Sequence, residues 1–360
     1  MKPVFMSDCE GPISRNDNAF EITAHFVPNG DKLFTAISRY DDVLVDVLRK
    51  QSYSAGSTLK LILPFLKAYG VTDFQIREFS AENLLLIANS KSTLEHVRVM
   101  ASAFIVSTSY EHYIEALCEA LDFPFANTYC TRLSIDKYSV NSEEKGRLRE
   151  IADEIVQTPL INIPRGAKAI GDFSARDQEI IAQLDRIFWS EIPKMSIGRV
   201  LSEVKTIGGS QKAEAIEDAV AKLHAKLSDV MYVGDSITDV EAFKLVKENG
   251  GLTVSFNGNA YAVQNSEIAV QSISNIVTAV IASLFFRKGK RNTLRLCENW
   301  NSLALKRTGV VKPLLEQYLS VYSSALPKVQ IVTAQNMDTL VKESSEFRKE
   351  VRGEAVGRLG

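Results

Sequence analysis

In Val4-Phe5-Met6-Ser7-Asp8-Cys9-Glu10-Gly11-Pro12 a short apolar run ends abruptly in two acids two positions apart and a Gly-Pro turn. That pattern reads as a buried β-strand delivering carboxylates at its C-terminal end, the edge at which open α/β sheets bind ligands. Alone it is equally consistent with a solvated acidic turn. A second acidic turn far along the chain, Met231-Tyr232-Val233-Gly234-Asp235-Ser236-Ile237-Thr238-Asp239, gives it force.

Outward from the first turn, helical spacing dominates. Leu33, Phe34, Ile37, Tyr40, Val43, Leu44, Val47 and Leu48 recur at three- and four-residue steps, an amphipathic face. A helix from Leu59 to Tyr69 is expected to kink or break at Pro64. Ser80 to Ala88 and Ser92 to Met100 read as two more helices, the second opened by a Ser92-x-x-Glu95 capping box. The α/β pattern resumes at Ala103-Phe104-Ile105-Val106-Ser107, a buried strand ending in Ser107-Thr108-Ser109. Ser109 is placed to cap a helix from Tyr110 to Leu121. Free N–H groups at such a helix start suit phosphate, although a plain cap is the simpler role.

Phe125 to Leu133 reads as extended, and 136–205 as a second insertion with helices near Glu143 to Gln157 and Asp177 to Trp189. Gly208-Gly209-Ser210-Gln211-Lys212 opens an amphipathic helix. Val230 to Val233 is a strand, and Thr238-x-x-Glu241 starts the next helix. Leu252 to Phe256 is a further strand, ending in the turn Asn257-Gly258-Asn259. From about 287 the chain reads as helical and peripheral, and the charged tail after Gln335 as partly disordered. The expected organisation is an α/β core over 1–14 and 100–286, interrupted at 136–205, with a helical cap over 15–99 and a helical C-terminal extension over 287–360.

At 360 residues the chain has room for a large core and more than one domain. A net charge of −2 with 24% charged residues leaves no electrostatic footprint for nucleic acid. Cys9, Cys118, Cys130 and Cys297 are scattered without a Cys-x-x-Cys, which reads as reduced thiols in a cytoplasmic protein. No targeting segment is expected, and the apolar stretch Ile276 to Phe286 is too short to span a bilayer. Its flank, Arg287-Lys288-Gly289-Lys290-Arg291, reads as a solvated helix end. His25, His96, His112 and His224 lack metal-ligand spacing, which argues against zinc. Absence of a Gly-x-Gly-x-x-Gly after a strand and of a Walker-type Gly-Lys-Ser/Thr argues against a dinucleotide enzyme or P-loop ATPase.

Taken together, Asp8, Glu10, Ser107, Lys212, Asp235, Asp239 and Asn257 fall at strand ends or a helix start on one sheet edge. Crowded carboxylates need a cation, and hard oxygen ligands in this number favour Mg²⁺. With a lysine and a helix N-terminus they make a phosphoryl site, where an aspartate can attack phosphorus.

This ordered set resembles the haloacid dehalogenase (HAD) superfamily of phosphatases. Its marks are a strand ending in Asp-x-Asp, a strand ending in Ser or Thr, a lysine at a helix start, and Gly-Asp-x-x-x-Asp after a strand. The counterparts here are Asp8-Cys9-Glu10, Ser107, Lys212 and Gly234-Asp235-Ser236-Ile237-Thr238-Asp239. Ser107 to Leu133, with Phe125-Ala126-Asn127 before an expected β-hairpin, is similar to the phosphoserine phosphatase branch. The resemblance implies a three-layer α/β/α Rossmann-like core with a helical cap, and a Mg²⁺-dependent hydrolase of a small phosphorylated metabolite. Asp8 would be nucleophile and metal ligand, and Glu10 general acid and base with its carbonyl on the metal. Ser107 and Thr108 would face phosphoryl oxygens with Lys212, and Asp235 and Asp239 would complete the metal site. Asn257 is a further phosphate candidate. Asp17 and Asn18, where the chain leaves for the cap, are candidates for substrate recognition, with a plain turn the simpler role.

Glu10 departs from the family's usual aspartate, and Gly11-Pro12 from its usual Gly-Thr. The extra methylene shifts reach by about 1.5 Å, a displacement able to cost about a hundredfold in rate. Cys9, between the acids, reads as packing. Asp8-Cys9-Glu10-Gly11-Pro12 with Asn16-Asp17-Asn18-Ala19-Phe20-Glu21 is also similar to HAD-like archaeal proteins of methanogens assigned as subunit R of an energy-converting hydrogenase. That likeness implies a regulatory or structural subunit in place of an enzyme. The 136–205 insertion is open between a second lid, a homo-oligomer contact and a partner surface, and the tail is a second candidate for such contacts.

Overall fold

A computed structural model describes residues 2–51 and 53–357. Strand β1 (Val4–Ser7) is wholly buried, with Phe5 packed into one core and Val4 and Met6 into another. A strand with no polar face needs cover on both sides, so β1 is committed to the middle of a layered sheet. Helices α1 (Asn18–Phe26), α2 (Gly30–Asp42), α3 (Thr58–Ala68), α4 (Asp73–Glu82) and α5 (Ser90–Met100) follow. Next come β2 (Ser102–Tyr110), α6 (Glu111–Leu121) and β3 (Thr128–Thr131). A second helical run contains α7 (Ser142–Gln157), α8 (Ala175–Arg186) and α9 (Val200–Glu203). The alternation returns with α10 (Ser210–Lys222), β4 (Val230–Gly234), α11 (Val240–Glu248), β5 (Leu252–Phe256), α12 (Ala260–Asn265), β6 (Ile268–Gln271) and α13 (Ile276–Lys288). The chain closes with α14 (Lys290–Cys297), α15 (Ser302–Lys306), α16 (Lys312–Val321), β7 (Lys328–Ile331), α17 (Met337–Arg352) and α18 (Glu354–Gly357).

The sheet order is β3-β2-β1-β4-β5-β6-β7. Every neighbouring pair is parallel except β6–β7. It is thus a mostly parallel α/β sheet of Rossmann type. Strand β1 pairs with β2 on one side and β4 on the other, the point at which the winding reverses and a crevice opens beyond the strand ends. Ser7 lies opposite Val233, and the Asp8 amide donates to the Val233 carbonyl at 2.8 Å. The two acidic turns therefore leave the sheet side by side.

Three large cores explain the sequence pattern. One face of the sheet is covered by α5, α6, α13 and α16, through residues such as Leu94, Ile114, Ile281 and Leu314. The other is covered by α10, α11 and α12, through Ile216, Phe243 and Ala262. The third core joins α1–α4 to α7–α9: Phe65 and Phe188 meet edge to face at 6.2 Å, and Tyr40 stacks on Phe188. The two helical insertions thus share one apolar interior. The apolar stretch at Ile276 is a core helix, buried from Ile276 to Phe285. Among the described residues no helix is long and apolar enough to cross a membrane.

Several local expectations are corrected. Helix α3 does not break at Pro64; nine of its eleven residues are buried, so packing outweighs the one lost backbone bond. Helix α5 starts at Ser90 behind a left-handed Asn89, so Ser92 and Glu95 form no capping box. Strand β2 extends to Tyr110, which precedes α6, and the Ser109 amide is spent on the Ser107 hydroxyl at 3.2 Å. Tyr110 takes the N-cap position of α6 and no side chain caps that helix, so Ser109 is not its cap. Strand β3 pairs parallel to β2, where a hairpin was expected after Asn127. The C-terminal region contributes an edge strand and α17, which is neither peripheral nor irregular.

Candidate active site

Asp8, Lys212, Asp235 and Asp239 converge beyond the ends of β1 and β4, each no more than 5% exposed. Lys212, in the first turn of α10, places Nζ 2.6 Å from Asp8 Oδ2 and 2.8 Å from Asp239 Oδ1. Asp8 Oδ1 accepts from the Cys9 amide at 2.7 Å. Burial pushes the Asp8 carboxyl upward, with Lys212 pulling it back and Asp239 and Asp235 adding to the rise. Burial by itself would lower Lys212, but attraction to Asp239 and Asp8 leaves the ammonium above its ordinary value. The lysine is therefore a fixed positive charge.

Asp239 is saturated. Its Oδ1 accepts from Lys212 and from the Tyr232 hydroxyl at 2.7 Å. Its Oδ2 accepts from the Asp235 and Ser236 amides at 2.9 and 3.0 Å. A carboxylate offers about four lone-pair directions, and all four are used. Asp239 thus shapes the turn that presents Asp235 and anchors the lysine. Gly11 lets the other wall approach: its φ is +107°, and a Cβ there would lie 2.0 Å from Asp235 Oδ2.

The Glu10 Oε1 accepts from the Asn18 amide at 2.7 Å at the start of α1. Burial, reinforced by Asp17, holds the Glu10 carboxyl well above the usual carboxylate range. Asp17 is also raised by burial, and it caps α1 by accepting from the Phe20 amide at 3.1 Å. Asn18 is buried; its Oδ1 accepts from the Ser80 hydroxyl at 3.2 Å, while its Nδ2 has no partner. A cavity of about 100 Å³ is lined by Asp8, Glu10, Asp17, Thr108 and Asp235, with α2 overhead through Ser38 and Asp42. A larger cavity, about 720 Å³, runs between α2 and residues 155–162 and shares Ser38 and Asp42 with it.

Not every candidate meets here. Ser107 turns its hydroxyl to Ser109 Oγ at 3.0 Å, while Thr108 faces the cavity. Asn257 spends both polar side-chain atoms on Ser272, its Nδ2 donating to the carbonyl at 2.8 Å and its Oδ1 accepting from the amide at 2.9 Å. Cys9 is fully buried, and burial pushes its thiol well up, consistent with packing.

Two residues that sequence reasoning missed complete the site. Arg348 Nη1 pairs with Asp235 Oδ2, and Arg352 Nη1 reaches the same oxygen at 3.0 Å. Both side chains are under 5% exposed. The signal was present in the periodicity: Leu340, Ser344, Arg348 and Arg352 recur every four residues, on one helical face.

Asp8, Asp235 and Asp239 offer carboxylate oxygens that all lie within 4.8 Å of one another. That hard-oxygen set fits Mg²⁺ in its chemistry. Asp8 and Asp235 are the ligands with capacity left, since Asp239 is already saturated.

The doubly wound sheet thus carries an Asp–Lys–Asp constellation at its switch point. The chain belongs to the haloacid dehalogenase-like hydrolases, whose family profile matches residues 58–283, more than half of its length. Among solved structures it is similar to gene product AF1437 from Archaeoglobus fulgidus, at 23% identity over 100% of this chain and 99% of the other, with a TM-score of 0.77. It is also similar to a phosphoserine phosphatase in apo form, at 12% identity over 76% of this chain and 96% of that one, with a TM-score of 0.42. A phosphoserine phosphohydrolase-like protein from Francisella tularensis subsp. tularensis SCHU S4 shares 14% identity over 77% and 99%, with a TM-score of 0.45. No curated protein matches the sequence.

Proposed function

We propose that this protein is a phosphomonoester hydrolase that cleaves a small phosphorylated metabolite through an aspartyl-phosphate on Asp8. The observation that carries the reading is the placement of Asp8 against Lys212, beside Asp235, at the ends of adjacent parallel strands. Asp8 attacks phosphorus as the bond to the leaving oxygen breaks, and that oxygen takes the proton held on Glu10. The Glu10 carboxylate then removes a proton from water, which attacks the phosphoryl group and releases Asp8 and inorganic phosphate. A raised Glu10 carboxyl suits the first of these steps. Lys212 and Thr108 would balance and orient the phosphoryl oxygens, and Asp17 and Asn18 would meet the rest of the substrate. Asp8, the Glu10 carbonyl and Asp235 would hold Mg²⁺, with Asp239 orienting them. The ion would supply charge neutralisation for the phosphoryl group.

A second reading, a HAD-fold regulatory or structural subunit without turnover, is favoured by the two arginines on Asp235. Phosphate release from a panel of phosphomonoesters, with and without Mg²⁺, separates the two. Metal-dependent release that is lost in Asp8→Asn supports the hydrolase; none above that variant, from a folded protein, supports the subunit. Four buried free thiols support a reducing compartment such as the cytoplasm.

A further inference from the structure

Helix α17 is fastened along one face. Leu340 packs against Val263 and Ala269, and the Ser344 hydroxyl donates to the Gly258 carbonyl at 2.6 Å. One and two turns further on, Arg348 and Arg352 close on Asp235, with Arg348 also reaching the Asp235 carbonyl at 3.3 Å. Arg352 continues past the carboxylate. Its Nε donates to the Arg15 carbonyl at 3.1 Å and its Nη2 to the Asn16 carbonyl, on the segment that carries the chain from β1 into the helical cap.

In the ion-pair network itself Asp8, Asp235 and Asp239 face Lys212, Arg348 and Arg352, while Glu10 and Asp17 line the same cavity with carboxyls that burial pushes up. Without the guanidinium groups Asp8, Asp235 and Asp239 face one ammonium, a deficit of two positive charges, which is what a divalent ion carries. Both guanidinium groups sit on Asp235 Oδ2, so a divalent ion taking that oxygen must displace them.

We propose that α17 is a built-in latch, whose Arg348 and Arg352 take the place of the divalent cation on Asp235 and at the same time pin the cap linker. The inference rests on the reading of Asp8 and Asp235 as the metal-holding pair. In the latched state Asp235 is paired to α17; binding of Mg²⁺ requires α17 to lift, which also frees Arg15 and Asn16. Because only the lifted fraction binds, the apparent Mg²⁺ affinity is reduced by that fraction, about ten- to a hundredfold for a lifted state populated at about 10% to 1%.

The test is calorimetric titration of Mg²⁺ into the full-length wild type and into Arg348→Gln/Arg352→Gln, without substrate. The latch predicts binding at least about tenfold tighter in the double variant, abolished when Asp235→Asn is added. Equal affinities, or no binding to either protein, would overturn it. Should the double variant fail to fold by circular dichroism, hydrogen exchange of the wild type decides. Amides of 337–352 exchanging faster in high Mg²⁺ than in chelator support the latch, and unchanged or slower exchange rejects it. Turnover is a separate readout. Tighter metal binding with no phosphate release from any ester keeps the latch and rejects the hydrolase. Equal affinities with Asp8-dependent release do the reverse.

Discussion

Replacing Asp239 with asparagine isolates the residue that organises the site without being free to bind a ligand. The amide can turn only one oxygen to its donors. Facing that oxygen to the Asp235 and Ser236 amides preserves the turn, and leaves the NH₂ group against Lys212 Nζ and the Tyr232 hydroxyl. Tyr232 can rotate its hydroxyl to accept, whereas an ammonium has no lone pair to offer. The substitution therefore removes one of two carboxylate partners from a wholly buried lysine. Breaking one side of a buried ion pair costs about 3–5 kcal/mol. With Asp8 still in place the lower end applies, so Asp239→Asn should lose about 3 kcal/mol. Tyr232→Phe deletes a single hydrogen bond to a charged acceptor and should lose about 1.5–3 kcal/mol, the smaller effect. Equilibrium urea unfolding followed by circular dichroism measures both. An Asp239→Asn loss below about 1 kcal/mol, or one smaller than that of Tyr232→Phe, would show that Asp239 is not the anchor of the lysine.

Glu10→Gln removes the proton that the leaving oxygen needs. It should lower kcat by about 10²–10⁴ on alkyl phosphates and far less on an aryl phosphate with a good leaving group, read by steady-state phosphate release. Gly11→Ala combines a left-handed backbone with a Cβ 2.0 Å from Asp235 Oδ2, and should cost about 3 kcal/mol by urea unfolding. Burial raises the Glu21 carboxyl from 4.5 to about 7. Between those values the folded state holds the proton more tightly than the unfolded chain, so this contribution to stability is full below 4.5 and is lost as pH rises through about 7. Glu21→Gln keeps an acceptor for the Asn16 Nδ2 donor. It should therefore shrink the difference in denaturation midpoint between pH 5 and pH 8, checked by urea unfolding at both.

How much of this was legible in the chain depends on the range of the signal. Val4–Ser7 and Val230–Gly234 announce themselves because a doubly covered strand must be apolar throughout, and the acids after them break that run. Lys212 was found from a glycine pair and a helix start, both local. Ser109 failed for the opposite reason: parallel pairing with β3 carries β2 on to Tyr110, and no local pattern reports a partner strand. Asn257 likewise answers to Ser272, on the far side of β6. The tail was misread because its composition is charged; the arginines at 348 and 352 are buried against Asp235, more than a hundred residues away. Charge complementarity across such a distance has no periodicity to reveal it, although the four-residue spacing from Leu340 marks the face that carries them.

The central claim is that Asp8 takes the phosphoryl group. The most direct measurement is acid quenching during turnover of the best phosphomonoester with Mg²⁺, for the wild type and for Arg348→Gln/Arg352→Gln, followed by peptide mass spectrometry. Hydroxylamine-sensitive phosphate on the peptide containing Asp8, absent from Asp8→Asn, is the predicted result. Turnover that persists in Asp8→Asn, or phosphate on any other residue, would contradict the account.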